Sequence, residues 1–368
     1  MRSNWILFLS NASAMMSMIF IPLFADLVGA SRFEIGIIGA SYGLAIFFSS
    51  YFFSRSSDRR DKRVFLKAGL GVAAAAFFLQ VFAESALSLT IVRGLAGFAM
   101  GIFTAPLIVY TYESGGKLGM FSSYGALGWA FGGMFAGITG HLAESFLGKE
   151  SLAPYWAVFA LSAVLFLVAF LLSFDMLEVK VMSTQVPLFP WALIKKNRWV
   201  YASVLMRNTG AFAIWTILPL FLLELGANMF WIGGLFFINT GTQFIIMRRL
   251  DIRNDETLIK AGLALSGVVF FSYSLAPVFY VIAPFQILLA FSYSFMYVGS
   301  LLFLTRTNEE KTTSVGLLNS VLSLSMVIGP LFGGAISQIW GFREVMYFAA
   351  GITFIGFAIS LALGPKSS

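Results

Sequence analysis

Two arginines are the residues of this chain most able to do chemistry. Arg93 and Arg207 lie well inside long apolar segments, each roughly two helical turns from the nearer end. A cation near the centre of a bilayer costs about 2.5–3.5 kcal/mol on insertion scales, so each needs a reason. The reason is a bound substrate or coupling ion, a bonded backbone carbonyl, or a stem long enough to reach the interface. Asn11, Asn208 and Gln286 are amides inside other apolar segments. They serve a substrate or a neighbouring helix. Asp26, near the end of the first segment, is the best single candidate for a carboxylate that carries a proton. Its rival reading is a water-exposed acid at the interface. With one histidine, His141, and no cysteine, metal clusters, thiolate nucleophiles and disulfides have no residues to run on. His141 reads as a solvated residue near a helix end. No acids are paired inside the apolar segments, so the chain is not expected to be an enzyme or to need a cofactor. Binding and translocation remain.

The elements that position these residues follow from composition. The chain is 59% hydrophobic and 11% charged, against about 25% charged in a soluble domain. Its solvent must be lipid. Twelve apolar segments are centred near residues 16, 44, 74, 100, 131, 164, 212, 239, 266, 291, 326 and 353. Each is long enough for the about 20 residues of a helical span. This predicts an all-α membrane protein. The first segment, Trp5 to Val28, exceeds the roughly 7–15 apolar residues of a cleaved signal and is expected to stay. Counted over alternating loops, Lys and Arg crowd one side, and only Arg32, Lys149 and Arg343 fall on the other. That bias predicts both termini in the cytoplasm. The net charge of +7 is therefore topological and does not mark a nucleic-acid surface.

The second half of the chain repeats the first. At an offset of 197, eight of fifteen positions in 22–36 and 219–233 are identical, among them Pro22/Pro219, Gly29/Gly226 and Gly36/Gly233. Asp58–Leu70 and Asp251–Leu263 agree at six of thirteen positions at an offset of 193. This predicts that span eight is about one turn shorter than span two. At an offset of 197 again, Gly132 and Gly137 match Gly329 and Gly334. Six spans per half is an even number, so the repeats are parallel. The expected organisation is a six-helix half over 1–174, a cytoplasmic linker over 175–198, and a second half over 199–368. The repeat also maps Arg93 to Gln286 and Asn11 to Asn208, which places polar residues on spans one, four, seven and ten.

The loop after span two, Ser54 to Arg63, resembles the signature loop of the major facilitator superfamily. Asp58, Arg59, Lys62 and Arg63 fit the signature; Ser54 and Asp61 stand where that family usually has glycine. Span four carries Arg93-x-x-x-Gly97-x-x-x-Gly101, span five Gly128-x-x-x-Gly132-Gly133-x-x-x-Gly137, and span eleven Gly329-Pro330-x-x-Gly333-Gly334. The resemblance covers essentially the whole chain. It implies two parallel six-helix repeats with spans one, four, seven and ten around a central cavity. It implies that Asp58 meets the start of span eleven near Thr312 and Thr313, and that Lys62 or Arg63 pairs with Glu113, latching the outward-open state. It implies gating by spans five and eleven, whereas glycines at such spacing also serve static packing alone.

These residues predict a secondary transporter of the cytoplasmic membrane working by alternating access. Its expected partners are a small-molecule substrate, protons and membrane lipid, with no nucleic acid and a single chain as the working unit. The leading expectation is proton-coupled efflux of apolar or cationic compounds, from the antiporter-like glycines, the Phe- and Met-rich walls and Asp26. The alternative is an organic-anion transporter using the intramembrane arginines. A non-transporting membrane sensor is the third class.

Overall fold

The computed structural model describes residues 2–57, 61–115, 118–148, 151–177, 190–247, 249–250, 254–308 and 311–364. Among them are thirteen α-helices and no strand. The first half holds α1 (Arg2–Leu27), α2 (Arg32–Ser57), α3 (Lys62–Leu79), α4 (Ala86–Glu113), α5 (Leu118–Leu147) and α6 (Ala153–Ser173). A short α7 (Trp191–Lys196) precedes α8 (Arg198–Glu224), α9 (Met229–Met247), α10 (Asp255–Ser274), α11 (Ile282–Thr307), α12 (Lys311–Ile339) and α13 (Phe342–Leu363). Eleven helices are long and apolar enough to cross a membrane. The twelfth long helix, α5, spans 30 residues, seven of them glycine. The chain is thus an all-α membrane protein of twelve long helices. One face of the bundle, the near face, carries the start of α1 and the end of α13; the other is the far face.

Local sequence explains why the repeat is conserved between halves. Gly29 and Gly226 both adopt left-handed backbone, at φ 82° and 87°, which an L side chain resists. Each ends its helix in the same turn. Ala30 N–H donates to Ala25 O at 2.9 Å, and Ala227 N–H donates to Leu222 O at 2.9 Å. These wrapped bonds satisfy carbonyls that the helix end leaves open. Pro22 and Pro219 sit inside α1 and α8. Each removes one N–H from its helix's hydrogen-bond ladder. The α2 and α9 helices, 26 and 19 residues long, differ by more than the single turn expected.

Packing follows the same symmetry. In one half α1 packs on α5 and α6, and α4 on α2 and α3; in the other α8 packs on α12 and α13, and α11 on α9 and α10. The halves meet through α2 against α12 and α5 against α9. One apolar core, including Met15, Phe24, Ile217, Phe221 and Phe236, joins both halves on the far side. Towards the near face it divides in two. Leu66, Phe103 and Phe166 belong to the first half alone, and Val200, Ile259 and Leu304 to the second alone. The molecule is closed at the far face, and its cores separate towards the near face. The end of the linker stays with the second half. Lys196 Nζ donates to Thr307 O at 2.7 Å, and Asn197 and Asn308 exchange amide bonds at 3.1 and 3.3 Å.

Candidate functional site

A cavity sits between the halves beneath the closed far side. The α1 helix supplies Met18 and Pro22, α2 supplies Tyr42, and α4 supplies Arg93. Across from them lie Phe212, Trp215 and Thr216 of α8 and Met326 and Pro330 of α12. The space open to the centre of a water molecule is ≈ 60 Å³, enough for a few waters at about 10–15 Å³ each. The walls are aromatic and thioether surfaces, which adapt to different apolar shapes.

Arg93 is the one charged residue in this wall and is 3% exposed. Its guanidinium carbon lies 4.1 Å from the centroid of the Tyr42 ring. Its Nη1 donates a long bond of 3.4 Å to Ser17 Oγ. Its Nε is buried with no acceptor. Among the described residues no carboxylate pairs with it. A buried cation is ordinarily paired and fully hydrogen-bonded, because desolvation costs several kcal/mol. Here a π face and one weak bond replace a counter-ion, and the side chain borders a cavity.

Arg207, expected at the central cavity, faces elsewhere. It is equally buried, but its Nε donates to Ser266 Oγ of α10 at 3.0 Å and its Nη1 to Asn208 Oδ1 at 3.2 Å. The Phe270 and Tyr293 rings lie 5.3 and 5.2 Å from its guanidinium. It is therefore held inside the second half by α10 and α11. Asn208 supports it and donates to Val204 O at 3.0 Å. Asn11 donates to Gly125 O of α5 at 3.2 Å, an interhelical bond within the first half. Gln286 is buried, and its backbone carbonyl accepts from Asn239 at 2.9 Å. Asp26 is exposed at the far end of α1. His141 is half exposed near the far end of α5, 3.8 Å from Glu144.

The glycines fall into two groups. Added side chains at Gly132, Gly329 and Gly333 would strike Ala12, Thr209 and Ala213, on the helix packed beside them in the same half. Gly133 and Gly137 instead face Gly233 and Met229 across the halves, and Gly334 faces Arg32 and Gly36. Pro330 packs on Gly36 and Gly39. The far side is also pinned by Arg32. Its Nη1 donates to Ser337 O at 2.8 Å, its backbone N–H to Gln338 Oε1 at 2.8 Å, and its guanidinium stacks 4.1 Å from Phe342. Sequence reasoning left Arg32 as a topology marker only.

Of the near-face gate, Asp58 and Arg59 lie outside the described residues, as do the side chains of Glu113, Thr312 and Thr313. Asp61 caps α3, accepting from Arg63 N–H at 3.0 Å, and pairs with the Arg63 guanidinium at 2.6 Å. That arginine holds the Asp61 carboxyl below the usual carboxylate range. Lys62 is 4% exposed.

The arrangement of two six-helix halves around a cavity between them has counterparts. Residues 5–307 and 240–368 match the model of the Major Facilitator Superfamily. The chain belongs to the Major Facilitator Superfamily. Among curated relatives, the multidrug resistance protein MdtG of Salmonella choleraesuis (strain SC-B67) is 26% identical over 386 residues, covering 94% of this chain and 90% of the relative. MdtG of Salmonella paratyphi C (strain RKS4594) is 26% identical over 380 residues with the same coverage. Among solved structures, a bacterial homolog of the human lysosomal transporter Spinster, inward-facing and occupied, matches at TM-score 0.83 and 13% identity, over 98% of this chain and 95% of that one. The nucleoside transporter NupG matches at 0.77 and 13%, over 99% of each chain. As a superfamily member the chain is a multi-pass membrane transporter of small molecules and not an enzyme.

Proposed function

We propose that this transporter exports small amphipathic organic anions, with Arg93 as the group that receives the negative charge. The observation that carries the proposal is Arg93 itself, buried in the wall of the cavity between the halves with an unused N–H and no carboxylate partner among the described residues. An anion entering the cavity meets a charge that no carboxylate among the described residues compensates. The Met and Trp walls take an apolar body of variable shape. A cation would be repelled at the same place.

Direction and energy follow from topology and charge. The near face is assigned to the cytoplasm by its excess of Lys and Arg, so the far-side closure describes an inward-open carrier. The MdtG relatives are called multidrug resistance proteins, and export is the direction that fits such a name. Every acid among the described residues lies in a loop or within a turn of a helix end. Proton coupling through Asp26 therefore has no buried carboxylate behind it. It also has no need of one. Moving one negative charge out of a cell is favoured by about 2.3 kcal/mol per 100 mV of inside-negative potential.

Proteoliposomes loaded with a fluorescent arylsulfonate test this. Export should accelerate when potassium and valinomycin make the interior negative, and a pH gradient alone should not accelerate it. Export of a lipophilic cation driven by a pH gradient, with no arylsulfonate flux, would restore the proton-coupled reading.

A further inference from the structure

The repeat that aligns the halves also shows what the first half has added around Arg93. At the established offsets, Arg93 corresponds to Gln286, Tyr42 to Asn239, Ser17 to Ile214 and Gln80 to Tyr273. The second half has no equivalent of the Ser17–Gln80 pair. In the first half the pair forms a buried chain. Ser17 Oγ donates to Gln80 Oε1 at 2.6 Å, and Arg93 Nη1 donates to Ser17 Oγ at 3.4 Å. All three residues are at most 3% exposed.

A hydroxyl has one proton and two lone pairs. With its proton committed to Gln80, Ser17 turns only lone pairs towards Arg93, so it is held as an acceptor. Gln80 thereby orients the guanidinium without neutralising it. A glutamate at this place would accept from Ser17 equally well but would put a negative charge two hydrogen bonds from Arg93. The uncharged amide is the choice that anchors a cation and leaves its field for a ligand. Its own cost is visible, because Gln80 Nε2 is buried without a partner, and an orphan buried donor forfeits its hydrogen bond to water.

We infer that Gln80 is a positioning residue for anion binding, which acts through Ser17 to hold Arg93 in the cavity wall and keeps that site positively charged by being an amide. The inference rests on the proposed role of Arg93.

The test is Gln80→Glu in the full-length detergent-purified protein, with naphthalene sulfonate as probe because it stays charged throughout the range used. Between about pH 5.5 and about pH 8 the wild-type Kd should hardly change. In Gln80→Glu the protonated carboxyl imitates the amide and binding is retained in acid. As the new carboxyl ionises, Kd should rise about tenfold or more, since neutralising Arg93 removes its attraction. A merely structural glutamine would give no such pH profile. Ser17→Ala, which cuts the chain without adding charge, should raise Kd at every pH. A flat pH profile in Gln80→Glu at the wild-type Kd overturns the inference. If Gln80→Glu does not fold, a wild-type Kd in Ser17→Ala overturns it instead. Undiminished binding in Arg93→Ala is a different failure and removes the anion reading beneath it.

Discussion

A methyl group placed where two glycines cross should open this transporter at its far face. Gly36 and Gly233 are repeat mates, and both lie at the contact between halves. A side chain at Gly233 would fall on the Gly133 carbonyl and 2.7 Å from Gly137 Cα. Carbon atoms settle at about 3.5–4.0 Å, so α5 and α9 must part by roughly 1 Å. The obstacle is backbone and has no rotamer to change. Overpacking of this kind costs about 1–3 kcal/mol. It is charged only to the conformation in which the far side is closed. The equilibrium should move towards the outward-open form by about 5- to 150-fold. The chain has no cysteine, so one thiol introduced at Met18, in the cavity, reports access without background. Labelling by a membrane-impermeant maleimide from the outside should accelerate in Gly233→Ala and again in Gly36→Ala. Gly94→Ala, where nothing lies within 4 Å, is the control. Equal labelling rates in Gly233→Ala and Gly94→Ala would refute the assignment of these glycines to the gate.

Other expectations follow from particular contacts. Arg32→Ala removes the side-chain hydrogen bond to Ser337 O and a stacking contact at the far side, so the same thiol should label faster in that variant. Arg207→Met should leave the Kd for an arylsulfonate within about twofold of wild type, since its donors are spent inside the second half; a loss as large as that of Arg93→Ala would return Arg207 to the binding site. Asp61→Ala deletes the cap of α3 and should lower stability by about 0.5–2 kcal/mol. The folded Asp61 carboxyl titrates below its ordinary 3.8, so its contribution is complete above that pH and lost as pH falls through the lowered value. Thermal melts of wild type and Asp61→Ala should differ near neutrality and converge in strong acid.

Much of the architecture is legible in the sequence because lipid imposes simple requirements. Each apolar run must be a helix, since no water satisfies its backbone. The identities between halves mark positions where backbone geometry leaves little choice, such as the left-handed Gly29 and Gly226. Side-chain direction is far less legible. The α8 helix is buried on nearly every side, so its apolar pattern does not say which neighbour Arg207 faces. The glycines of α5 and α12 read as one motif, yet neighbouring positions serve different interfaces. Gly132 packs within its half and Gly133 across halves, a distinction set by about 100° of helix rotation. The stack of Arg93 on Tyr42 joins α4 to α2, and only the repeat pairing Tyr42 with the polar Asn239 hinted that position 42 mattered.

Anion binding at Arg93 is tested most directly by comparing two ligands of similar shape and opposite charge. Naphthalene sulfonate and a naphthyl trimethylammonium ion would be titrated into purified wild-type protein and into Arg93→Ala. Wild type should bind the sulfonate and not the ammonium ion, and Arg93→Ala, still folded by its melting profile, should lose the sulfonate by about tenfold or more. Equal sulfonate affinity in both proteins, or a wild-type preference for the ammonium ion, would contradict the account.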